Sequence, residues 1–160
     1  MKKARLLALL PLIAFAASLD GCAGRAEIYP NDDPLLRKTS AAFAADAAKR
    51  FPFHADAKQG GQAQARCEVG YFLDRVDVVN YSDTEWTNVE LWINQSYVVF
   101  LPRMEPKVVK DIPFQAIFNA EGDSYPTHKG GFFNRSPVMV TKVQLYRDGT
   151  LYDVPVTTAE

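Results

Sequence analysis

The chain has 160 residues, enough for one domain and an appended segment. Hydrophobic residues at 48% and charged ones at 23% match ordinary globular usage and exclude wholesale disorder. A net charge of −1 at pH 7 gives no chain-wide attraction for phosphate backbones, so no nucleic-acid partner is expected.

Lys2, Lys3 and Arg5 form a positive opening, and residues 6–19 follow without a charged side chain. That run is shorter than the roughly 20 residues a helix needs to cross a hydrocarbon layer of about 30 Å. Next comes Ser18-Leu19-Asp20-Gly21-Cys22. This arrangement resembles a bacterial lipoprotein signal peptide, with Leu19 at the −3 position, Gly21 at −1 and Cys22 as the lipidated +1 residue. Asp20 departs from the small uncharged residue usual between them. The resemblance implies removal of residues 1–21, acylation of Cys22 and a membrane as partner. Because Ala23 and not aspartate follows, it also implies an outer-membrane location in a cell with two membranes. Plain secretion with Cys22 incidental, and a retained anchor, are the alternatives. An acylated Cys22 leaves Cys67 without a disulfide partner. In a strand-like run with no base near it in sequence, Cys67 reads as a small buried hydrophobe and not as a nucleophile.

Residues 22–61 read as a tether and a short helix. Asp33 is a capping carboxylate and Pro34 suits a first helical position, so the spacing predicts one helix over 35–51, stopped by Pro52. Leu36, Ser40, Phe43, Ala47 and Phe51 share a stripe, and Lys49 and Arg50 suit the negative end of the helix dipole. The two phenylalanines favour a helix docked on the following domain over a solvated spacer. The stretch that follows reads as a linker because of Gly60-Gly61, with His54 solvated within it. The boundary falls near Gly61.

From 62 to 158 short alternating runs predict strands at about 63–69, 72–80, 87–94, 97–101, 107–112, 114–118, 138–147 and 150–156. Asp148-Gly149 between two of them is a two-residue hairpin turn whose central positions both need positive φ. Pro102, Pro106 and Pro113 mark strand ends or edges. The fold expected is mainly β, an antiparallel sandwich or small barrel, with Trp86 filling the gap between two sheets. The segment around Asn80–Asn94 resembles the strand–loop–strand of immunoglobulin and fibronectin type III domains. Asp83, Trp86, Val89, Trp92 and Asn94, with the closing YRDGTLYDVPV, also resemble small bacterial envelope lipoproteins. That resemblance implies a β-sandwich and assigns no activity.

The loop at 118–133 is the most function-like stretch. Asn119, Glu121 and Asp123 have the spacing of calcium-loop ligands, but Ser124 and Gly130 stand where that loop needs glycine and glutamate. A turn is the simpler account, so no metal is expected. Glu121 and Asp123 with His128 are the only set suggesting a hydrolase, and nothing fixes their separation. No phosphate loop, dinucleotide fingerprint or nucleophile elbow appears, and no cofactor is expected. Tyr125, His128, Phe132 and Phe133 are the candidate ligand surface, belonging with Tyr81, Trp92, Tyr97 and Phe100 to a set of aromatics too large for so small a core. The function expected is a non-enzymatic, lipid-anchored envelope module contacting another envelope protein. A glycan- or peptide-binding module is the alternative, and a hydrolase using residues 119–129 the third reading.

Overall fold

In the computed structural model of the chain, residues 31, 33–126 and 138–158 are described. Mainly β structure is built as two sheets, preceded by one helix.

The helix is shorter than predicted and starts later. Asp33 does cap, accepting from the Leu35 amide at 2.9 Å, but it opens only a 3-10 turn, Pro34–Leu36. Thr39 then restarts the chain, its hydroxyl accepting from the Ala42 amide at 3.1 Å, and α1 runs Ser40–Ala48. Consecutive Thr39 and Ser40 compete for backbone hydrogen bonds, which favours a new N-terminus over a continuous helix. Phe43 and Ala47 are buried and α1 packs against the sheet, so the helix is docked.

The first strand was unforeseen. β1 (Lys58–Gln62) contains Gly60-Gly61, so the boundary read near Gly61 falls inside a strand. It is held at the sheet edge by its neighbour, and its own residues are all exposed. β2 (Ala65–Gly70) and β3 (Arg75–Asn80) flank a 3-10 turn, Tyr71–Leu73, where strand was predicted. β4 (Trp86–Ile93) and β5 (Tyr97–Met104) pair antiparallel, and β6 (Val109–Pro113) ends at a 3-10 turn, Phe114–Ala116. β7 (Val143–Arg147), β8 (Thr150–Val154) and β9 (Val156–Thr158) close the chain. Asp148 and Gly149 take φ of 49° and 72°, the mirror-image hairpin turn expected between β7 and β8.

The sheets are β1-β8-β7-β4-β5 and β6-β3-β2-β9. A wholly antiparallel arrangement was expected, but β1 runs parallel to β8, and β2 parallel to β9. The cause is a double crossing. The chain leaves the first sheet for the second between β1 and β2, and again at Pro155 between β8 and β9. The two crossings travel together, tied by Ala63 N–H to Asp153 O (2.8 Å) and Cys67 N–H to Pro155 O (2.9 Å).

Both sheets contribute to a single core. The four-stranded sheet buries Cys67, Val69, Val76, Val78 and Ile112 on one face, while Glu68, Asp77 and Asp111 share the other. In the five-stranded sheet β4, lying between β7 and β5, is buried on both faces: Val89, Leu91 and Ile93 on one, Glu90 and Trp92 on the other. Strand alternation requires a second cover for that second face. Residues 49–57 supply it, with Phe51 and Phe53 meeting Trp92 edge-on at 5.1 and 5.2 Å.

Gly60 marks a close approach. A Cβ there would lie 2.2 Å from the Tyr152 ring, so no other residue fits without moving that ring. Gly60→Ala is expected to cost about 1–3 kcal/mol, as overpacking does, readable as a lowered urea midpoint. An unchanged midpoint would place β1 away from Tyr152.

Candidate functional site

Among the described residues, those first suspected in the 118–133 loop are occupied by folding. Tyr125 is fully buried against Tyr97 and Phe114, with ring centroids 4.9 and 4.8 Å apart, and its hydroxyl donates to Val138 O at 2.7 Å. Burial pushes that hydroxyl's pKa well above its usual value. Tyr125 is therefore a core residue, offering no exposed ring to a ligand. Asn119 Oδ1 accepts from the Asp123 amide at 2.7 Å, and Asn119 N–H donates back to Asp123 O at 3.0 Å. The calcium-like spacing is thus spent on closing a turn around Gly122, leaving Glu121 and Asp123 in solvent. His128, Phe132, Phe133 and Cys22 lie outside the described residues. No group of three or more His, Cys, Asp or Glu side chains among the described residues is placed to hold a metal. Cys67 is fully buried, and burial, with the nearby Asp77 and Glu68 charges, pushes its thiol up to about 12. At neutral pH it is a thiol, not a nucleophilic thiolate.

Two constellations went unnoticed in the sequence. The first is a buried carboxylate. Glu90 projects from β4 on the same face as Trp92, as its pairing with Phe100 and Tyr146 requires. Its Oε2 accepts from Trp92 Nε1 at 3.1 Å and lies 2.8 Å from His54 Nε2, while Arg50 reaches Oε1 at 3.4 Å. The His54 ring stacks on Tyr146 at 3.7 Å, and Arg50 lies over Phe100 at 3.9 Å. The site fastens residues 49–57 to the sheet. With both oxygens of Glu90 engaged, the cluster is a latch built of a satisfied buried charge. The pattern did hold a signal: a tryptophan sharing strand parity with Glu90 means that the nominally polar face is covered.

The second is a cleft of about 240 Å³ where the chain first crosses between sheets. Gln62 and Gln64 form one side, Ser82 and Thr84 another, and the rings of Trp86 and Tyr152 line it. Arg147 ends the β7 row that begins with Val143 and Leu145, so a core-facing strand position carries a cation just where the core opens. Its guanidinium lies over Trp86 at 4.6 Å and 5.8 Å from the Tyr152 ring centroid. The Ser82–Thr84 wall is fixed from below by buried Asn80, whose Nδ2 donates to Thr84 O (2.8 Å) and Met104 O (3.1 Å). Asn80 Oδ1 in turn accepts from the Ser82 amide at 2.9 Å.

Among the described residues no helix is long and apolar enough to cross a membrane. No family model, curated protein or solved structure matches the chain.

Proposed function

We propose that the chain is a lipid-anchored envelope protein, held to a membrane through Cys22, which works by contact with another envelope component and not by covalent chemistry. Its body, in this reading, is a β-sandwich of the immunoglobulin or fibronectin type III kind. The observation that carries the proposal is the order of the N-terminus: Lys2, Lys3 and Arg5, an uncharged run, then Gly21-Cys22. Each buried methylene of an acyl chain contributes about 0.8 kcal/mol, and one chain binds marginally while several hold firmly. Two sheets sharing one core support the sandwich form, with the paired parallel crossings as a departure from the usual antiparallel pattern. The contact role is supported by Phe72 and Leu73, which are 82% and 60% exposed side by side on the turn between β2 and β3. Adjacent apolar side chains in water are what a partner surface covers.

A peptide- or glycan-binding body is the second reading, favoured by the cleft at Arg147. Cys22→Ser is expected to move the protein from the detergent to the aqueous phase on phase separation, with its β-type far-ultraviolet spectrum unchanged. Continued partitioning of the variant into detergent would contradict the anchor.

A further inference from the structure

We propose that the cleft at Arg147 recognises the C-terminal carboxylate of a peptide. The inference rests on the ligand-binding reading and is independent of how the chain is anchored.

The first ground is charge. Among the described residues, other cations drawn from solvent face a carboxylate: Lys38 faces Asp46, Arg75 faces Asp77 and Asp111, and the buried Lys110 faces Asp33 and Glu105. Arg50 offers the closest comparison. It stacks on an aromatic ring as Arg147 does, and one nitrogen of its fork, Nη1, faces Glu90 Oε1 at 3.4 Å. Arg147 has the stacking without a carboxylate within ion-pair distance among the described residues. Stacking engages the face of the guanidinium and leaves its in-plane N–H donors at the rim, the geometry that grips a carboxylate by two parallel hydrogen bonds. A cation drawn partly from water without a counter-charge carries a desolvation cost that an arriving anion offsets.

The second ground is the lining. Arg147 is the one charged residue of the cleft among the described residues. Gln62 and Gln64 provide neutral amides able to bond a peptide backbone, and Leu145 and Ala63 provide an apolar floor. The wall at Ser82 and Thr84 is held in place by Asn80 before any ligand arrives, which limits the ordering cost of binding.

The third ground is size. At about 240 Å³ the space is below the roughly 300–1,000 Å³ of drug-sized pockets. It suits one terminal residue, whereas an oligosaccharide would need a longer groove.

The chain has two tryptophans, which makes a clean test available. Trp86 lines the cleft, while Trp92 has its indole N–H committed to Glu90 and serves as an internal reference. The full chain in detergent micelles, isotope-labelled at its tryptophans, is titrated with a pool of N-acetylated tripeptides bearing free C-terminal carboxylates. The Trp86 indole signal is expected to shift and the Trp92 signal to stay. The same pool capped as C-terminal amides is expected to bind about 10- to 100-fold more weakly, the loss that follows from removing a charge-assisted pair. Arg147→Gln is expected to abolish the difference between acids and amides, and Arg147→Lys to keep only part of it. A displaced Trp92 signal in either variant would mark a folding defect, and the acid–amide comparison on the unaltered protein then decides alone. Equal binding of acids and amides would overturn carboxylate recognition while leaving the ligand-binding reading in place. Absence of any Trp86 shift with both pools would overturn the two together. Glucuronic acid shifting Trp86 at lower concentration than the peptide acids would overturn the peptide assignment.

Discussion

Truncating Trp92 to alanine is expected to cost about 3–5 kcal/mol of folding stability, the upper range for a single core substitution. Trp92 is fully buried on β4, between β7 and β5 of the five-stranded sheet, and Phe51, Phe53 and His54 all meet its ring edge-on. Three effects therefore add. Apolar area returns to water, a cavity opens under residues 49–57, and Glu90 loses the indole donor at 3.1 Å that helps satisfy its buried carboxylate. Domains of this size are stable by only about 5–15 kcal/mol, so the loss removes a large share. Urea unfolding should show a lower midpoint at an unchanged slope, and hydrogen exchange should quicken first in residues 49–57. A loss under about 1 kcal/mol would mean that this segment is not the cover of the sheet.

Lys110→Met carries the second large effect, about 2–4 kcal/mol at neutral pH. The Lys110 side chain is only 6% exposed and its ammonium lies 2.6 Å from both Asp33 Oδ2 and Glu105 Oε2. Burial alone would lower the lysine's pKa, but hydrogen bonds and charge from the two carboxylates outweigh it and hold the group above its ordinary value. At Asp33 burial is likewise outweighed, by Lys110 and the Leu35 amide. At Glu105 the Lys110 hydrogen bond is the leading cause, and both acids sit below their ordinary values. Removing the ammonium takes the shared cation from two carboxylates, leaving Glu105 with Arg103 at 2.8 Å and Asp33 with the Leu35 amide at 2.9 Å. Their partial contact with solvent is why the expected loss stays under the full cost of a deeply buried pair.

The pH dependence follows in sign. Acids with lowered folded pKa contribute stability that is complete above their unfolded values, 3.8 and 4.5, and lost as pH falls through the folded ones. Lys110, raised above 10.5, contributes fully below that value and loses its part as pH rises through the folded pKa. The gap between the unaltered protein and Lys110→Met should thus be widest between about pH 5 and 10 and should close towards about pH 3. A gap that stays constant from neutral to acid pH would show that the ion triad contributes nothing. The triad also ties Asp33, ahead of the helix, to β6 and the end of β5, so its loss should loosen the N-terminal turn.

Much of the sheet structure is local enough to read from residue order. The alternation of Val89, Leu91 and Ile93 locates β4, and Asp148-Gly149 locates the β7–β8 hairpin because few other residues take two successive positive φ angles. β1 was hidden for the opposite reason. Gly60-Gly61 has no side-chain pattern, and its strand identity comes from lying beside β8 with Gly60 against Tyr152. The helix was misjudged in its start because Thr39 overrides the cap at Asp33.

The candidate sites were less legible still, since each assembles residues distant in sequence. Trp92, first counted among aromatics without room in the core, is buried because residues that read as a linker fold over it. His54 read as solvated, yet it lies 2.8 Å from Glu90 and stacked on Tyr146. Arg147 read as an ordinary strand residue before a turn. Only the crossing of chains at Gln62–Gln64 gives it a cleft, and no short-range pattern announces that crossing.

The lipid anchor proposed at Cys22 is tested most directly at the N-terminus of the protein as it occurs in its membrane. Mass spectrometry of the N-terminal peptide of protein extracted from its native membrane should find Cys22 at the start, carrying acyl chains. A peptide extending upstream of Cys22, or one beginning at an unmodified Cys22, would contradict it.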